Sequence, residues 1–510
     1  SKVLISAELT SGKLEIVKSA TIVDLTHSGS SRIFVDNSTS LTLKNAFQIP
    51  NGKTMKLMGS GDARTVNLPD PLTLAGTLGI SSTGYNITSG TLALAGGLLE
   101  ISESSSIGSK ITHVSSGIIK VKNNKKLNYS GNSLDVGALT LTLNGGGEIE
   151  TTNDFTLNDP DSILSLNDIN ISKVSVTGEQ SDGMISVDND SIIETLSLNA
   201  SSRFSISDNT SLSVLNLFEV PQNKSMEMIE TGSGNLILGD QLKLSGILKI
   251  SSPDTIKNGK LVLNGGTLSV NEDSNIVSDI TNLDNSTIYV VSNKKLIYSG
   301  SAIEIGALSL TASGGGVIEN TNVINLNDSA SILGLNGISV SKVSITKELS
   351  TGMIDVNSDS KINTFSQPVS SRFDISSGVR LTLEETFEVP ENTIMNMVGS
   401  GNGIMELYDT LKLSGKIKFD APGYTIDNGT LALNSATLES KYDSTVNSDI
   451  THLNDSTINV SEDKTLTYSG EEFKIGALNL TVSGGGNFIN SDNLSLNNEA
   501  SVLKLDGIAK

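Results

Sequence analysis

Apolar residues alternate with small or charged residues at every second position in short stretches along the chain. Residues 411–415, 416–419 and 431–434 follow this pattern, and Gly, Asn, Asp and Ser separate the stretches. Alternation with period two is typical of a β-strand with one buried face. We find no stretch with helical periodicity over a dozen residues and capping residues at its ends. The pattern therefore predicts an all-β fold.

The spacing of these stretches indicates which all-β fold to expect. Leu-Ala-Gly occurs at 74–76 and again at 94–96, and related phrases occur at 244–246 and 263–265, so the pattern recurs after about 20 residues. That spacing matches one coil of a solenoid, whereas a sandwich needs evenly spaced turns and larger core aromatics. The sequence predicts a right-handed parallel β-helix, that is a β-solenoid, with roughly 20–24 residues per coil.

A longer repeat is superimposed on the coil. The phrase Leu-x-Tyr-Ser-Gly begins at Leu127, Leu296 and Leu466, which indicates a long period of roughly 170 residues. Ser-Ser-Arg recurs in the same way, at Arg32, Arg203 and Arg372. We therefore predict three tandem solenoid repeats, 1–171, 172–340 and 341–510. With about 4.8 Å of rise per coil, they would form one continuous rod on the order of 110 Å long.

The two ends of the chain are in phase with this repeat. Ser1-Lys2-Val3 matches the residues that begin at Ser172 and Ser341, and Gly507-Ile508 matches Gly337-Ile338. Neither end has the polar or helical cap usual in solenoids, and open strand edges pair readily with other chains. Two explanations fit: the terminal coils of separate chains stack head to tail, or the chain is part of a longer array.

Composition agrees with a narrow solenoid. Only 4% of residues are aromatic and there is no Trp or Cys, so we expect thin core layers of Leu, Ile and Val. Gly145-Gly146-Gly147 is expected to form a tight corner. The net charge of −21 makes nucleic acid an improbable partner, and no run of eighteen apolar residues predicts a membrane span.

Candidate catalytic residues do not follow the repeat. His113 and His452 share a repeat position that holds Asn282 in the middle copy, and His27 aligns with Leu198 and Gln367. A proton shuttle would not tolerate these exchanges, so the histidines are interpreted as surface turn residues. Acidic residues are scattered and are interpreted as a solvated face. We therefore predict no catalytic, cofactor-binding or metal-binding residues.

Two further sets of residues need an interpretation. Asp159, Asp161, Asp188 and Asp190 place oxygen ligands at alternate positions, but they lack the turn Gly and terminal Glu of a calcium loop. They are expected to form turns, with weak surface binding of calcium as the alternative. Arg32, Arg203 and Arg372 could bind an anion, but pairing with a carboxylate or capping of the backbone is favoured.

Aromatic and thioether side chains also recur with the long repeat. They are interpreted as core fillers where a coil departs from regularity. The set comprises Phe47, Phe218 and Phe387 with Met55, Met226 and Met395.

Leu-x-Leu-x-Gly phrases, Gly-Gly-Gly corners and Asn/Ser/Thr-rich faces without Cys resemble repetitive β-solenoid surface proteins of bacteria. Such proteins include autotransporter passengers, filamentous-haemagglutinin-like adhesins and extracellular fibre subunits. The resemblance implies a secreted, cell-surface location and a structural or adhesive role, with self-stacking and host-cell or surface glycans and receptors as partners. The alternatives are a carbohydrate-active β-helix enzyme, which should break the repeat at one cleft, and an ice- or mineral-binding solenoid, which should carry Thr-x-Thr ladders.

Overall fold

The computed structural model describes residues 1–229 and 232–509, and these residues contain β-strands and no helix. The chain divides into two compact units, Ser1–Lys260 and Leu261–Lys510. Each unit is a parallel β-solenoid, which confirms the predicted all-β fold class. No helix of the described residues is long and apolar enough to cross a membrane. The three copies inferred from the sequence stay a prediction, because the boundary between the two units does not test them.

Strands pair in parallel with strands one coil later. Leu14 pairs with Ile33, and Ser31 pairs with Met55. Leu74 pairs with Leu94, so the recurring Leu-Ala-Gly phrase does mark successive coils. The predicted coil length is therefore confirmed.

In the first unit, the coils supply two long sheets and a third side with shorter sheets. Sheet 1 comprises Leu14–Ile16, Ser31–Val35, Thr54–Met58, Thr77–Ile80, Leu98–Ile101, Gly117–Val121, Thr140–Asn144, Ile163–Asn167, Met184–Asn189, Ser202–Ile206, Ser225–Met228 and Ile247–Ile250. Sheet 2 comprises Ala20–Ile22, Thr39–Leu43, Arg64–Asn67, Tyr85–Thr88, Ser105–Ile107, Lys126–Tyr129, Leu134–Asp135, Glu148–Thr151, Phe155–Leu157, Asn170–Val176, Ser191–Leu198, Ser211–Val214, Asn235–Leu238 and Thr255–Lys257. The third side has Lys2–Ile5, Asp24–His27, Phe47–Ile49, Leu72–Leu74, Thr91–Ala95, Lys110–Ser115, Phe218–Val220 and Gln241–Leu244.

The second unit has the same three sides. Its third side starts with the strand Lys260–Asn264, and Lys260 is also the last residue of the first unit. Sheet 1 comprises Thr267–Val270, Ser286–Val290, Ser309–Ser313, Ile332–Asn336, Met353–Ser358, Ser371–Ile375, Ile394–Val398, Lys416–Phe419, Thr437–Ser440, Ser456–Val460, Asn479–Ser483 and Val502–Asp506. Sheet 2 comprises Ser274–Ile276, Lys295–Tyr298, Ile303–Glu304, Val317–Asn320, Ile324–Leu326, Ser339–Ile345, Ser360–Ser366, Arg380–Leu383, Ile404–Leu407, Thr425–Asp427, Ser444–Val446, Thr465–Tyr468 and Asn487–Asn490. The third side continues with Asp279–Asp284, Phe387–Val389, Thr410–Leu413, Thr430–Leu433, Asp449–His452, Phe473–Lys474 and Leu494–Ser495.

Leu, Ile and Val fill the interior, and the recurring Phe and Met side chains join them. Met55, Met226 and Met395 are buried, and they pair with Ser31, Ser202 and Ser371 respectively. The phenylalanines are buried or half-buried, at Phe47, Phe218 and Phe387. Their interpretation as core fillers is therefore confirmed.

The Gly-Gly-Gly run forms a corner between sheets 1 and 2. Gly145 has a φ of 110° and Gly146 has a φ of 77°, in the left-handed region that side chains rarely adopt. A Cβ atom on Gly147 would lie 2.5 Å from Cγ1 of Val121 in the preceding coil. The run is a corner as predicted, and close packing of adjacent coils requires glycine there.

Candidate functional site

The three histidines lie on strands of the third side, not in surface turns. His27 ends the strand Asp24–His27 and its side chain is only 4% exposed. His452 is buried at the end of Asp449–His452, and His113 is half-buried within Lys110–Ser115. Their interpretation as turn residues was wrong, because alternation along these strands turns the rings inward.

Two of these rings bind the backbone of the next coil. Nδ1 of His113 lies 2.8 Å from the carbonyl oxygen of Val136, and Nδ1 of His452 lies 2.9 Å from that of Ile475. The middle copy places Nδ2 of Asn282 at 3.4 Å from the carbonyl oxygen of Ile305. A carbonyl oxygen only accepts hydrogen bonds, so the side chain at each of these positions is the donor. Asn can therefore replace His without loss of the hydrogen bond.

His27 has a related role at another repeat position. Its Nε2 lies 2.7 Å from Oγ of Ser31, and at the equivalent place the hydroxyl of Ser371 donates to Oε1 of Gln367. Burial lowers the pKa of His27 and also that of His113. At neutral pH these rings are therefore uncharged and act as hydrogen-bonding parts of the interior.

Three buried tyrosines repeat one arrangement in each copy. The hydroxyl of Tyr129 donates to the carbonyl oxygen of Asn132 at 2.7 Å and accepts from the backbone N–H of Ile111 at 3.2 Å. Tyr298 and Tyr468 make the corresponding bonds. Burial raises the pKa of all three phenols. Each hydroxyl group both donates and accepts a hydrogen bond, so we infer that these tyrosines hold neighbouring coils together.

The recurring arginines cap the backbone at one corner. Nη1 of Arg32 donates to the carbonyl oxygen of Thr10 at 3.3 Å, and Nη1 of Arg372 donates to that of Ser350 at 2.7 Å. Arg203 donates to the carbonyl oxygen of Ser181 at the equivalent place. Among the alternatives raised by the sequence, these bonds agree with a backbone cap.

Asp159 and Asp161 lie in a turn as predicted, but Asp188 is part of the strand Met184–Asn189 and Asp190 directly follows it, so the turn predicted there was wrong. Oδ1 of Asp159 accepts from the backbone N–H of Asp161 at 3.1 Å, and Oδ1 of Asp190 accepts from that of Ser211 at 2.7 Å. The described residues contain no group of three or more His, Cys, Asp or Glu side chains suited to a metal ion. The bond of Asp159 stabilises a turn, whereas the bond of Asp190 joins two adjacent coils.

One cleft contains a residue that departs from the long repeat, and the sequence did not predict it. Leu41 pairs with Val66, and Arg64 lies two residues before Val66. At the equivalent repeat positions, the residues two before Leu236 and Met405 are Gly234 and Gly403. Arg64 is buried, its guanidinium donates to the carbonyl oxygens of Gly61 and Thr83, and its charge lies 5.0 Å from the ring centre of Tyr85. One extra residue in the first copy hides this difference in a simple alignment.

The cleft beside Arg64 has a volume of about 650 Å³, and polar and apolar atoms contribute almost equally to its surface. Hydroxyl and amide groups dominate its lining, which includes Ser40, Thr65, Asn86 and Asn128. Among the described residues that line the cleft, Asp62 is the one carboxylate and none is a histidine. Glycoside hydrolysis commonly uses two Asp or Glu carboxyl groups, and the described lining supplies one, that of Asp62.

Charged side chains on the surface also join neighbouring coils. Nζ of Lys125 lies 2.7 Å from Oε2 of Glu103, and Nζ of Lys126 lies 2.8 Å from Oε2 of Glu150. Each glutamate lies one coil away from its lysine, the first in the preceding coil and the second in the following one. Pairs that stay in contact with solvent contribute little individually.

No family model, curated protein or solved structure matches the chain. The chemistry of the chain therefore has to be judged from its own geometry. The buried polar side chains described above bind backbone groups or other side chains across adjacent coils or around a corner. This arrangement can stabilise a stack of coils, and we find no acid–base pair or nucleophile positioned for catalysis among them.

Proposed function

We propose that the chain is an extracellular structural or adhesive solenoid without catalytic activity, either as a surface fibre or as part of a giant surface protein. The observation that carries the proposal is the use of buried polar side chains. Tyr129, Tyr298 and Tyr468 make the same two backbone bonds in each copy, and His113 is interchangeable with Asn282. Selection for stacked coils accounts for such repetition, whereas catalysis needs one distinct site.

The surface supports the same proposal. Small polar side chains and exposed charge cover the sheets, and the net charge of −21 favours solubility of an extended surface. The cleft beside Arg64 offers a place for a hydroxyl-rich ligand such as a glycan, which suits adhesion. A structural role needs no ligand there.

Labelling of intact cells tests the proposal. Antibodies against the chain should decorate the surface of unpermeabilised cells of the source organism, and the purified chain should release no product from a panel of polysaccharides. Labelling that appears only after permeabilisation would contradict the extracellular role. Release of sugars that is lost on substitution at Asp62 would instead establish an enzyme in the cleft.

A further inference from the structure

A row of polar side chains lines the cleft beside Arg64 on the outer face of sheet 2. Neighbouring strands contribute one side chain each, and we name this set the polar column: Ser40, Thr65, Asn86, Ser106 and Asn128. Each member pairs with the next across one coil. The residue that follows each member in its strand is buried, so the member itself points outward. With about 4.8 Å between strands, the polar column is about 19 Å long, and further coils lie on either side of it.

The side chains of the polar column are free to bind a ligand. Among the described residues, none forms a hydrogen bond with any of these five side chains. The adjacent column on the same face is different, because its members bind one another. Nδ2 of Asn67 donates to Oγ1 of Thr42 at 3.0 Å, and Oγ1 of Thr88 donates to Oδ1 of Asn67 at 2.7 Å. The polar column therefore offers donors and acceptors that the fold itself does not use.

Arg64 fixes one wall of the cleft. Its guanidinium donates to the carbonyl oxygens of Gly61 and Thr83, which lie in neighbouring coils. The backbone N–H of Asp62 donates to Oδ1 of Asn37 in the preceding coil at 3.1 Å. These bonds tie three successive coils together. Because the wall is already ordered, binding of a ligand costs little conformational entropy in the protein.

The other copies lack this arrangement. In the second copy, Ile297 takes the place of Asn128 at one end of the column. In the third copy, Arg380 takes the place of Ser40 at the other end, and its guanidinium forms ion pairs with two carboxylates. An uninterrupted polar column beside a fixed wall is thus specific to one place in the chain, as expected for a binding site.

We infer that the cleft binds a neutral oligosaccharide of several sugar units, which lies along the polar column across successive coils. Hydroxyl and amide groups both donate and accept hydrogen bonds, as sugar hydroxyl groups do. Polar and apolar atoms share the surface of the cleft, and a sugar ring likewise has both hydroxyl groups and C–H faces. The volume of about 650 Å³ is in the range usual for ligand sites. This inference rests on the proposed non-catalytic function and names the ligand class of the cleft.

Charge selects a neutral ligand over an acidic one. Arg64 is the one cation among the described lining residues, and its guanidinium is already bound to two carbonyl oxygens. The carboxylate of Asp62 and the net charge of −21 repel uronate, sialate or sulfate groups. An acidic polysaccharide would therefore find no partner for its charge in the cleft.

An array of neutral and acidic oligosaccharides of graded length, probed with the full chain, tests the ligand class. We expect neutral oligosaccharides to bind, with affinity that increases with length until the ligand covers the polar column. Isothermal titration calorimetry then gives the Kd of the best ligand. Binding to acidic oligosaccharides alone, or to none of the array, would overturn the inference.

Substitutions in the polar column test the site. Asn86→Leu and Thr65→Val should each raise the Kd about tenfold, because each removes hydrogen bonds to the ligand. Thr445→Val is the matched control, since Thr445 is half-buried on the outer face of sheet 2 in the third copy and lies outside the cleft. Circular dichroism verifies that each variant keeps its β-fold. Equal effects of the three substitutions would contradict the proposed site.

Arg64→Gly tests the wall separately from the polar column. Glycine stands at the equivalent positions Gly234 and Gly403, so the change is compatible with a coil of this fold. We expect the Kd to rise about tenfold although the polar column is intact, because the wall is no longer held in place. The titration is made well below the melting temperature of the variant. An unchanged Kd would contradict the role of Arg64 as a positioning residue.

The outcome also separates this inference from the proposed function. Mass spectrometry of the oligosaccharide after incubation with the chain should show it unchanged. A shortened product would overturn the proposed non-catalytic function, whatever the affinity of the cleft. A folded chain that binds no oligosaccharide would overturn this inference and leave the structural role on the cell surface intact.

Discussion

The backbone N–H of Ile111 donates a 3.2 Å hydrogen bond to the hydroxyl oxygen of Tyr129, which lies in the following coil. The same hydroxyl donates to the carbonyl oxygen of Asn132. One buried side chain thus forms hydrogen bonds with two backbone groups at a corner, where the hydrogen bonds between paired strands do not reach them. Identical bonds at Tyr298 and Tyr468 make this a repeated structural device.

Tyr129→Phe should therefore lower the free energy of unfolding by about 1–3 kcal/mol, because it leaves a buried N–H and a carbonyl unpaired. Urea unfolding followed by circular dichroism measures the change. Tyr289→Phe is the control, since Tyr289 is 39% exposed, and its effect should stay within about 0.5 kcal/mol. Equal effects of the two substitutions would refute the assigned role of Tyr129.

Lys125→Met should cost less than Tyr129→Phe. The side chains of Lys125 and Glu103 are 31% and 33% exposed and remain in contact with solvent, so loss of the pair is expected to cost at most about 1 kcal/mol and to cost less in high salt. Urea titrations at low and high ionic strength measure both quantities. A cost that is larger and independent of salt would show that the lysine has another role.

Gly147→Ala should destabilise the chain strongly, because its new Cβ would lie 2.5 Å from Cγ1 of Val121 and 2.7 Å from the carbonyl oxygen of Lys122. Gly137→Ala is the matched control. Gly137 has a φ of 64° with nothing within 4 Å of a Cβ, so it should lose only about 1 kcal/mol. Thermal unfolding compares the two variants, and similar melting temperatures would contradict the packing argument for the corner.

Stability should fall as the pH drops below about 6.5, the ordinary pKa of histidine. Burial lowers the pKa of His27 and His113 in the folded chain, so the unfolded chain binds more protons in this window and is favoured by acid. The double variant His27→Gln and His113→Asn copies residues found at equivalent positions. It should reduce the difference in urea midpoint between pH 7.5 and pH 5.5.

Two glutamates with lowered pKa values affect stability only at lower pH. Hydrogen bonds from Lys53 and Ser30 lower the pKa of Glu8 to about 2, and bonds from Lys224 and Ser201 do the same for Glu179. Stability from these carboxylates is complete above about pH 4.5 and is lost towards pH 2. An unchanged pH dependence between pH 7.5 and pH 5.5 in the histidine double variant would therefore refute the role of the buried rings.

Alternation of apolar and polar residues by itself determined that the chain is all-β, and the Leu-Ala-Gly spacing determined the length of its coil. These features are local: a strand needs period two, and a corner needs residues that tolerate positive φ. The burial of Met55, Met226 and Met395 could be predicted for the same reason, since it follows from the position of each residue within its strand.

The tertiary structure decided which distant residues share a surface and which polar side chains turn inward. Stacking of coils places Thr437, Thr457 and Thr481 in one column, although a full coil of the chain separates each from the next. Alternation along a strand places His27 in the interior. One extra residue places Arg64 where the equivalent repeat positions have Gly234 and Gly403, a shift that simple alignment does not show. Local sequence specifies each strand, but only the stacking of coils specifies its neighbours.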